Sequence, residues 1–151
     1  MTTRMNLRAP VSSLMTSELI TIEPTDKLVV VKDIFDRHRI HHIPVVDEEE
    51  RLVGLISKSD FRHFIRGMQR SEYDNLLEHS RLNNYTAADI MTRGLAKLEP
   101  DDRINVALEI FRENLFHAIP IVRQERLVGI LTSFDIIDAL AQEDNVRTGS
   151  S

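Results

Sequence analysis

The stretch His41-His42-Ile43-Pro44-Val45-Val46 returns as His117-Ala118-Ile119-Pro120-Ile121-Val122, an offset of 76 residues (117 against 41). The same offset carries Leu14-Met15-Thr16 to Ile90-Met91-Thr92, and Glu23-Pro24-Thr25-Asp26 to Glu99-Pro100-Asp101-Asp102. It also carries Ile34-Phe35 to Ile110-Phe111. Arg51-Leu52-Val53-Gly54 then returns as Arg126-Leu127-Val128-Gly129 at an offset of 75 (126 against 51), so one residue is missing from the second polar turn. A surface turn is where such a loss disturbs no core contact. The chain therefore reads as an internal repeat. An N-terminal segment covers 1–11, repeat one 12–68, a connector 69–87, repeat two 88–142 and a polar, frayed tail 143–151.

Each repeat has the same order of elements. A short first strand is expected at Leu19 to Ile22 and at Leu95 to Leu98. A helix follows, with Thr25 or Asp101 as the expected N-cap. Its apolar face carries Leu28, Val31, Ile34 and Phe35 in repeat one. In repeat two the face carries Ile104, Leu108, Ile110, Phe111 and Leu115. Two apolar strands come next, Ile43 to Val46 with Leu52 to Ile56, and Ile119 to Val122 with Leu127 to Leu131. Their continuous apolar character predicts burial on both faces. A last helix carries Phe61, Phe64, Ile65 and Met68, or Ile136, Ile137, Leu140 and Ala141. The fold class is α/β (α+β): two β-α-β-β-α repeats, expected to pack with pseudo-twofold symmetry around a cleft, because one copy alone buries its sheet poorly. The connector, with Tyr73, Leu76, Leu77 and Leu82 among charges, reads as an amphipathic helix. It either covers the edge of the core or offers a partner surface, and the first reading is favoured.

Composition narrows the function. The 151 residues are 42% apolar, carry a formal net charge of -5 and contain no cysteine. That excludes disulfide frameworks, cysteine–zinc sites and thiol nucleophiles. No Lys/Arg cluster supplies the broad basic face a nucleic-acid binder needs, although a few residues could still make a local anion site. The first eleven residues lack an apolar signal core, and no apolar run approaches the length of a spanning helix. The expectation is a cytoplasmic protein that binds neither nucleic acid nor membrane.

The duplicated pattern resembles a tandem pair of cystathionine-β-synthase-type (CBS) domains, the Bateman module. The Met-Thr pair opening each copy carries the likeness, with the His-Ile-Pro stretches. So do Gly54-Leu55-Ile56-Ser57-Lys58-Ser59-Asp60 and Gly129-Ile130-Leu131-Thr132-Ser133-Phe134-Asp135. Each piece alone is weak; their order, spacing and duplication are specific. No catalytic, transport or DNA-binding domain accompanies the copies in this sequence, so the likeness is to a stand-alone pair. The resemblance implies regulatory binding of an adenosine-containing ligand (AMP, ADP, ATP or S-adenosylmethionine) between the copies. It also implies a homodimer and a regulated partner protein whose identity the sequence does not give.

By the same resemblance, Asp60 and Asp135 accept hydrogen bonds from both ribose hydroxyls, with Ser57 and Thr132 beside them. A carboxylate suits a cis-diol because it offers two acceptor oxygens and no donor. The competing reading is structural: Ser57-x-x-Asp60 and Thr132-x-x-Asp135 are also capping boxes. Ribose binding is favoured, and one residue can do both jobs. His41, His42 and His117 are the phosphate candidates, against a reading in which they are solvated helix-end histidines suited to the helix dipole. His38-x-x-His41 has helical metal-ligand spacing, but no carboxylate partner is near it in sequence, and metal ranks last. The adenine pocket would use Ile20, Thr21 and Ile40 in one site and Ala96, Lys97 and Phe116 in the other. Plain core is the alternative for Ile20, Ile40 and Phe116.

A nucleotide-sensing regulatory module that signals by conformational change leads. A structural or interaction dimer without a working ligand site is the alternative. An enzyme is not expected, because no Gly-rich phosphate loop, nucleophile elbow or metal-ligand motif beyond the His cluster is present. The histidines favour phosphorylated ligands over the positive sulfonium of S-adenosylmethionine.

Overall fold

The structure is a computed structural model and describes residues 5–66, 74–113 and 116–149. Met68, Tyr73 and Leu115, expected on apolar helix faces, lie outside the described residues. After a 3-10 turn at Val11–Ser13, the elements run α1 (Leu28–Arg37), β1 (His42–Val46), β2 (Leu52–Ser57), α2 (Lys58–Arg66), α3 (Asp74–Asn84) and α4 (Ala87–Ile90). The second half continues with α5 (Ile104–Arg112), β3 (Ala118–Arg123), β4 (Arg126–Thr132) and α6 (Ser133–Gly149). β1 pairs antiparallel with β2, and β3 with β4, each with a bulge at the equivalent step. The middle of every strand is buried, as the unbroken apolar runs predict.

The chain forms two compact units that are not the two sequence repeats. One comprises 1–19 with 96–151, the other 20–95. The opening segment of each repeat therefore belongs to the unit built by the body of the other. In the 20–95 unit, the Tyr85 and Asp26 carbonyls accept from the N–H groups of Leu28 and Ala87, and the Pro24 carbonyl accepts from Ala88 N–H. The same three bonds recur 76 positions on, modulo the exchange: Ile104 N–H to the Ala9 carbonyl, Val11 N–H to Asp102, Ser12 N–H to Pro100. Val11 and Ala87 are fully buried at these junctions.

This arrangement overturns the expected N-caps. α1 and α5 start at Leu28 and Ile104, with Lys27 and Arg103 before them and no side-chain cap. Free N–H groups at these helix starts donate instead to main-chain carbonyls of the incoming segment, Leu28 to Tyr85, Ile104 to Ala9 and Asn105 to Leu7. Thr25 and Asp101 instead sit in a preceding turn. There the carboxylates of Asp26 and Asp102 accept from the N–H of Glu23 (2.8 Å) and Glu99 (2.7 Å). That turn also shortens the expected first strand. Only Ile22 and Leu98 pair, each by one parallel bridge to Val45 or Ile121.

The core of the 20–95 unit joins Ile22, Leu28, Val31 and Phe35 to Ile43, Val45, Ile56, Phe61 and Ile65. The Phe35 and Phe61 rings lie 5.8 Å apart. α3 packs against α1 and buries Leu82 in this core, leaving Leu76 and Leu77 exposed. The core of the other unit joins Val11, Leu98, Ile104, Ala107, Ile119, Ile121, Leu131 and Ile136. One expectation fails on α6. Ile137, Leu140 and Ala141 are exposed, since Ile136 takes the core-facing position. The helix also runs on to Gly149 through the segment expected to fray. No helix breaker interrupts it, and the Glu143 carboxylate accepts from Met5 N–H at 3.2 Å.

The missing residue in the second repeat falls in the hairpins. β1 and β2 are joined through Asp47 to Arg51, whose carboxylate–guanidinium contact is 2.8 Å. Asp47 also accepts from the N–H groups of Glu49 and Arg51. These bonds, first that from Arg51 N–H, hold its carboxyl below the usual carboxylate range. β3 and β4 are joined by Gln124 and Glu125 alone, both at positive φ (50° and 69°). That is the backbone of the tightest hairpin turn.

Candidate functional site

The glycine before each Ser/Thr-x-x-Asp segment has a steric reason. A Cβ on Gly54 would lie 2.5 Å from Met91 Sδ and 3.0 Å from its Cβ. A Cβ on Gly129 would lie 2.5 Å from Met15 Sδ and 3.1 Å from the Thr16 carbonyl. Thus the Met-Thr pair of each repeat lies across the second strand of the other. Thr92 exchanges two main-chain hydrogen bonds with Leu55, and Thr16 exchanges two with Ile130. The two most conspicuous motifs of the sequence are two sides of one contact, made twice.

Each strand then turns directly into a helix, which places Asp60 and Asp135 in the first turn. The His41 carbonyl accepts from Lys58 N–H (2.7 Å) and the His117 carbonyl from Ser133 N–H (3.1 Å). The recurring histidines therefore hold the helix starts through their main chains, whatever their side chains do.

The two carboxylates differ. Asp135 completes a capping box: it accepts from Thr132 N–H at 2.9 Å, while its own N–H donates to Thr132 Oγ1 at 3.1 Å. Its other oxygen faces the Thr16 hydroxyl at 3.4 Å. In the 20–95 unit only half of this forms, Asp60 N–H donating to Ser57 Oγ at 3.0 Å. Among the described residues no group donates to the Asp60 carboxylate, which is exposed and keeps its acceptor capacity. The Ser57 hydroxyl hydrogen also remains available as a donor.

The other candidates sort by unit. Ile20, Thr21, Ile40, Ser57 and Asp60 belong to the 20–95 unit; Ala96, Lys97, Phe116, Thr132 and Asp135 belong to the other. Ile20, Ile40, Ala96 and Phe116 are half-buried, and Thr21 and Lys97 are exposed. Ile40 packs against its unit's core. His42 is half-buried opposite Ser57 in the β1–β2 register, while His41 and His117 are exposed. His38 ends α1 in solvent. Among the described residues no group of three His, Cys, Asp or Glu is placed to hold a metal ion. None of the described helices is long and apolar enough to cross a membrane.

His41 lines a surface pocket of about 460 Å³ with Lys58, Ser59, Arg62, His63 and Arg66. A local basic cluster therefore exists on an acidic chain. Its sequence signal is the i, i+4, i+8 spacing of Lys58, Arg62 and Arg66, which places all three on one helix face.

Comparison with known proteins agrees with this architecture. Residues 11–67 and 87–142 match the CBS domain. Uncharacterized protein MJ1426 of Methanocaldococcus jannaschii is 27% identical over 154 aligned positions, covering 86% of this chain and 90% of that protein. MJ1225 of the same organism is 24% identical, and there the match covers 95% of this chain but only 48% of the relative. Among solved structures, CBSX2 of Arabidopsis thaliana superposes with a TM-score of 0.76 at 21% identity, covering 91% of this chain and 97% of that one. The CBS domain pair of MJ0100, solved with 5′-methylthioadenosine and S-adenosyl-L-methionine, gives 0.69 at 26% identity, covering 89% and 97%. With two matched segments spanning most of its length, this chain belongs to the CBS domain family and carries the domain twice.

Proposed function

We propose that this chain is a regulatory module that binds an adenosine-containing nucleotide through Asp60 and Ser57, and through Asp135 and Thr132. The observation that carries the reading is the Asp60 carboxylate: exposed, in the first turn of α2, and accepting from no described residue. Two acceptor oxygens without a donor match a ribose cis-diol. The MJ0100 pair, solved with two adenosine derivatives, supports the ligand class, as does the CBSX2 structure in complex with AMP. Ile20, Thr21 and Ile40, or Ala96, Lys97 and Phe116, supply the base pocket, and His41, His42 and His117 the phosphate contacts. AMP, ADP or ATP is the regulatory ligand, with S-adenosylmethionine as the competitor. The chain performs no chemistry on it. Binding favours one arrangement of the chain over another, and a partner protein reads that difference.

The two sites have unequal affinities, the Asp60 site being the tighter because Asp135 already serves a capping box. A homodimer is part of the same reading. Phe134, Ile137 and Leu140 leave an apolar strip on α6 that a second copy would cover. Titration calorimetry with AMP, ADP, ATP and S-adenosylmethionine tests the ligand, and native mass spectrometry counts the subunits. A ligand at 100 times its dissociation constant should stabilise the fold by about 2.7 kcal/mol. If none of the four shifts melting, the reading is wrong and the interaction-module alternative stands. If Asp60→Asn with Asp135→Asn leaves an observed shift intact, the ribose assignment fails.

A further inference from the structure

We infer that the Thr16 hydroxyl is a built-in competitor for ribose at Asp135, so that the strap of chain carrying it sets the affinity of that site; the inference rests on the ribose reading above. Residues 5–19 reach the 96–151 body from the far end of the sequence. They are fastened along their length. Met5 N–H donates to the Glu143 carboxylate, the Leu7 and Ala9 carbonyls accept from Asn105 and Ile104, and Val11 is fully buried. Further on, Thr16 exchanges two main-chain hydrogen bonds of 2.9 Å with Ile130. Ile130 lies on β4, which runs directly into the first turn of α6. The Thr16 hydroxyl is thereby delivered to Asp135 Oδ1 at 3.4 Å.

Both oxygens of Asp135 are then engaged, Oδ2 by Thr132 N–H at 2.9 Å and Oδ1 by Thr16. A cis-diol brings two donors and must share or displace what is already there. The cap at Oδ2 is part of the strand-to-helix turn and has ordinary length. The bond at Oδ1 is at the long limit for a hydrogen bond and comes from an exposed side chain, so it is the one a ribose hydroxyl displaces. The repeat supplies an internal comparison. Thr92 exchanges the same pair of main-chain bonds with Leu55, and Met91 meets Gly54 as Met15 meets Gly129. Yet among the described residues the Thr92 hydroxyl makes no hydrogen bond to Asp60. The main-chain geometry is common to both units, and the hydroxyl contact belongs to one. The shared fold therefore does not require it. By linkage, a ligand held by Asp135 releases the Thr16 side chain, and a firmly seated Thr16 weakens the ligand by the same factor.

Titration calorimetry of the full chain with adenosine, which has the cis-diol and no phosphate, tests this. In an Asp60→Asn background only the Asp135 site reports. There Thr16→Ala should tighten adenosine roughly fivefold, the worth of one ordinary hydrogen bond. Thr16→Val, which keeps the side-chain shape and loses the hydroxyl, should also tighten it, and Thr16→Ser, which keeps the hydroxyl, should match the parent. In an Asp135→Asn background neither Thr16→Ala nor Thr92→Ala should change binding. Melting each variant without ligand keeps a loss of fold from being read as a loss of affinity. The inference is overturned if removing the hydroxyl leaves binding in the Asp60→Asn background unchanged or weakens it. It is equally overturned if Thr16→Ser tightens binding as much as Thr16→Ala, or if Thr16→Ala acts as strongly in the Asp135→Asn background. Those results leave the ribose reading standing. Adenosine that fails to bind the wild type, or binds it and the Asp60→Asn, Asp135→Asn double variant alike, sinks the ribose reading and this inference with it.

Discussion

Replacing Gly54 by alanine is the sharpest test of the exchanged segments. The backbone there is not at positive φ, so the substitution strains no dihedral and its effect is steric. The new methyl would meet Met91 at Sδ (2.5 Å), Cγ (2.7 Å) and Cβ (3.0 Å). The thioether end can swing away, but the Met91 Cβ moves only with its main chain. That main chain is tied to β2 by the two Thr92–Leu55 hydrogen bonds. Overpacking of this kind costs about 1–3 kcal/mol. The smaller conformational freedom of alanine in the unfolded chain returns about 0.4–1 kcal/mol. A net loss of about 1–2 kcal/mol is expected, or roughly 2–8 °C in Tm. Gly129→Ala should cost more, because one of its obstacles is the Thr16 carbonyl, a main-chain atom at 3.1 Å. Gly94→Ala is the control: nothing lies within 4 Å of its Cβ, so it should be neutral or slightly stabilising. Urea unfolding followed by circular dichroism gives the three values. In a Met91→Ala background the Gly54→Ala penalty should shrink, because the Sδ and Cγ contacts are gone while the Cβ contact at 3.0 Å remains. An undiminished penalty in that background would refute the packing argument.

Other expectations follow from single sites. Asp135→Ala should cost about 1 kcal/mol by loss of a cap, and Asp60→Ala less, because only Asp135 accepts from the N–H three residues before it. Thermal melts of the two variants without ligand measure the difference. Gln124→Asn with Glu125→Gly should stabilise the fold by roughly 1 kcal/mol, since both positions hold positive φ and the new pair favours it. A lower unfolding midpoint would contradict the turn assignment. Asp47 sits below its usual range in the folded state, held first by Arg51 N–H. Its contribution is therefore present above its unfolded pKa and lost as pH falls through the folded one. Asp47→Asn should then be less stable than wild type at neutral pH, with the gap closing in acid. A gap that persists unchanged there would show that the carboxylate charge is not the cause.

Much of the fold was legible because it rests on local, periodic signals. Leu28, Val31 and Phe35 at helical spacing, and Ile43 to Val46 as an unbroken apolar run, state their element and their burial together. The 76-residue offset exposed the repeat, and the missing residue located the shorter hairpin. Thr25 and Asp101 misled because a cap signal describes only a helix and its own side chains. Ile137 and Leu140 misled because helical spacing marks an apolar stripe without saying which part of it meets the core. At the site, the Ser/Thr-x-x-Asp pairs were visible, but their difference was not. Whether Asp60 or Asp135 caps its helix depends on rotamers and on Thr16, far away in sequence.

The sequence by itself determined the repeat, the order of elements and the family, since these are carried by side-chain identity at short range. Only the tertiary structure decided which opening segment completes which core. That choice is made by main-chain hydrogen bonds at Tyr85, Ala9, Thr16 and Thr92; any residue could supply the accepting carbonyls, only the donating N–H groups of Thr16 and Thr92 exclude proline, and neither leaves a mark on composition. It also decided that Lys58, Arg62 and Arg66 share a pocket with His41, because that meeting depends on the β1–β2 register, which sets His42 opposite Ser57 and so His41 beside Lys58.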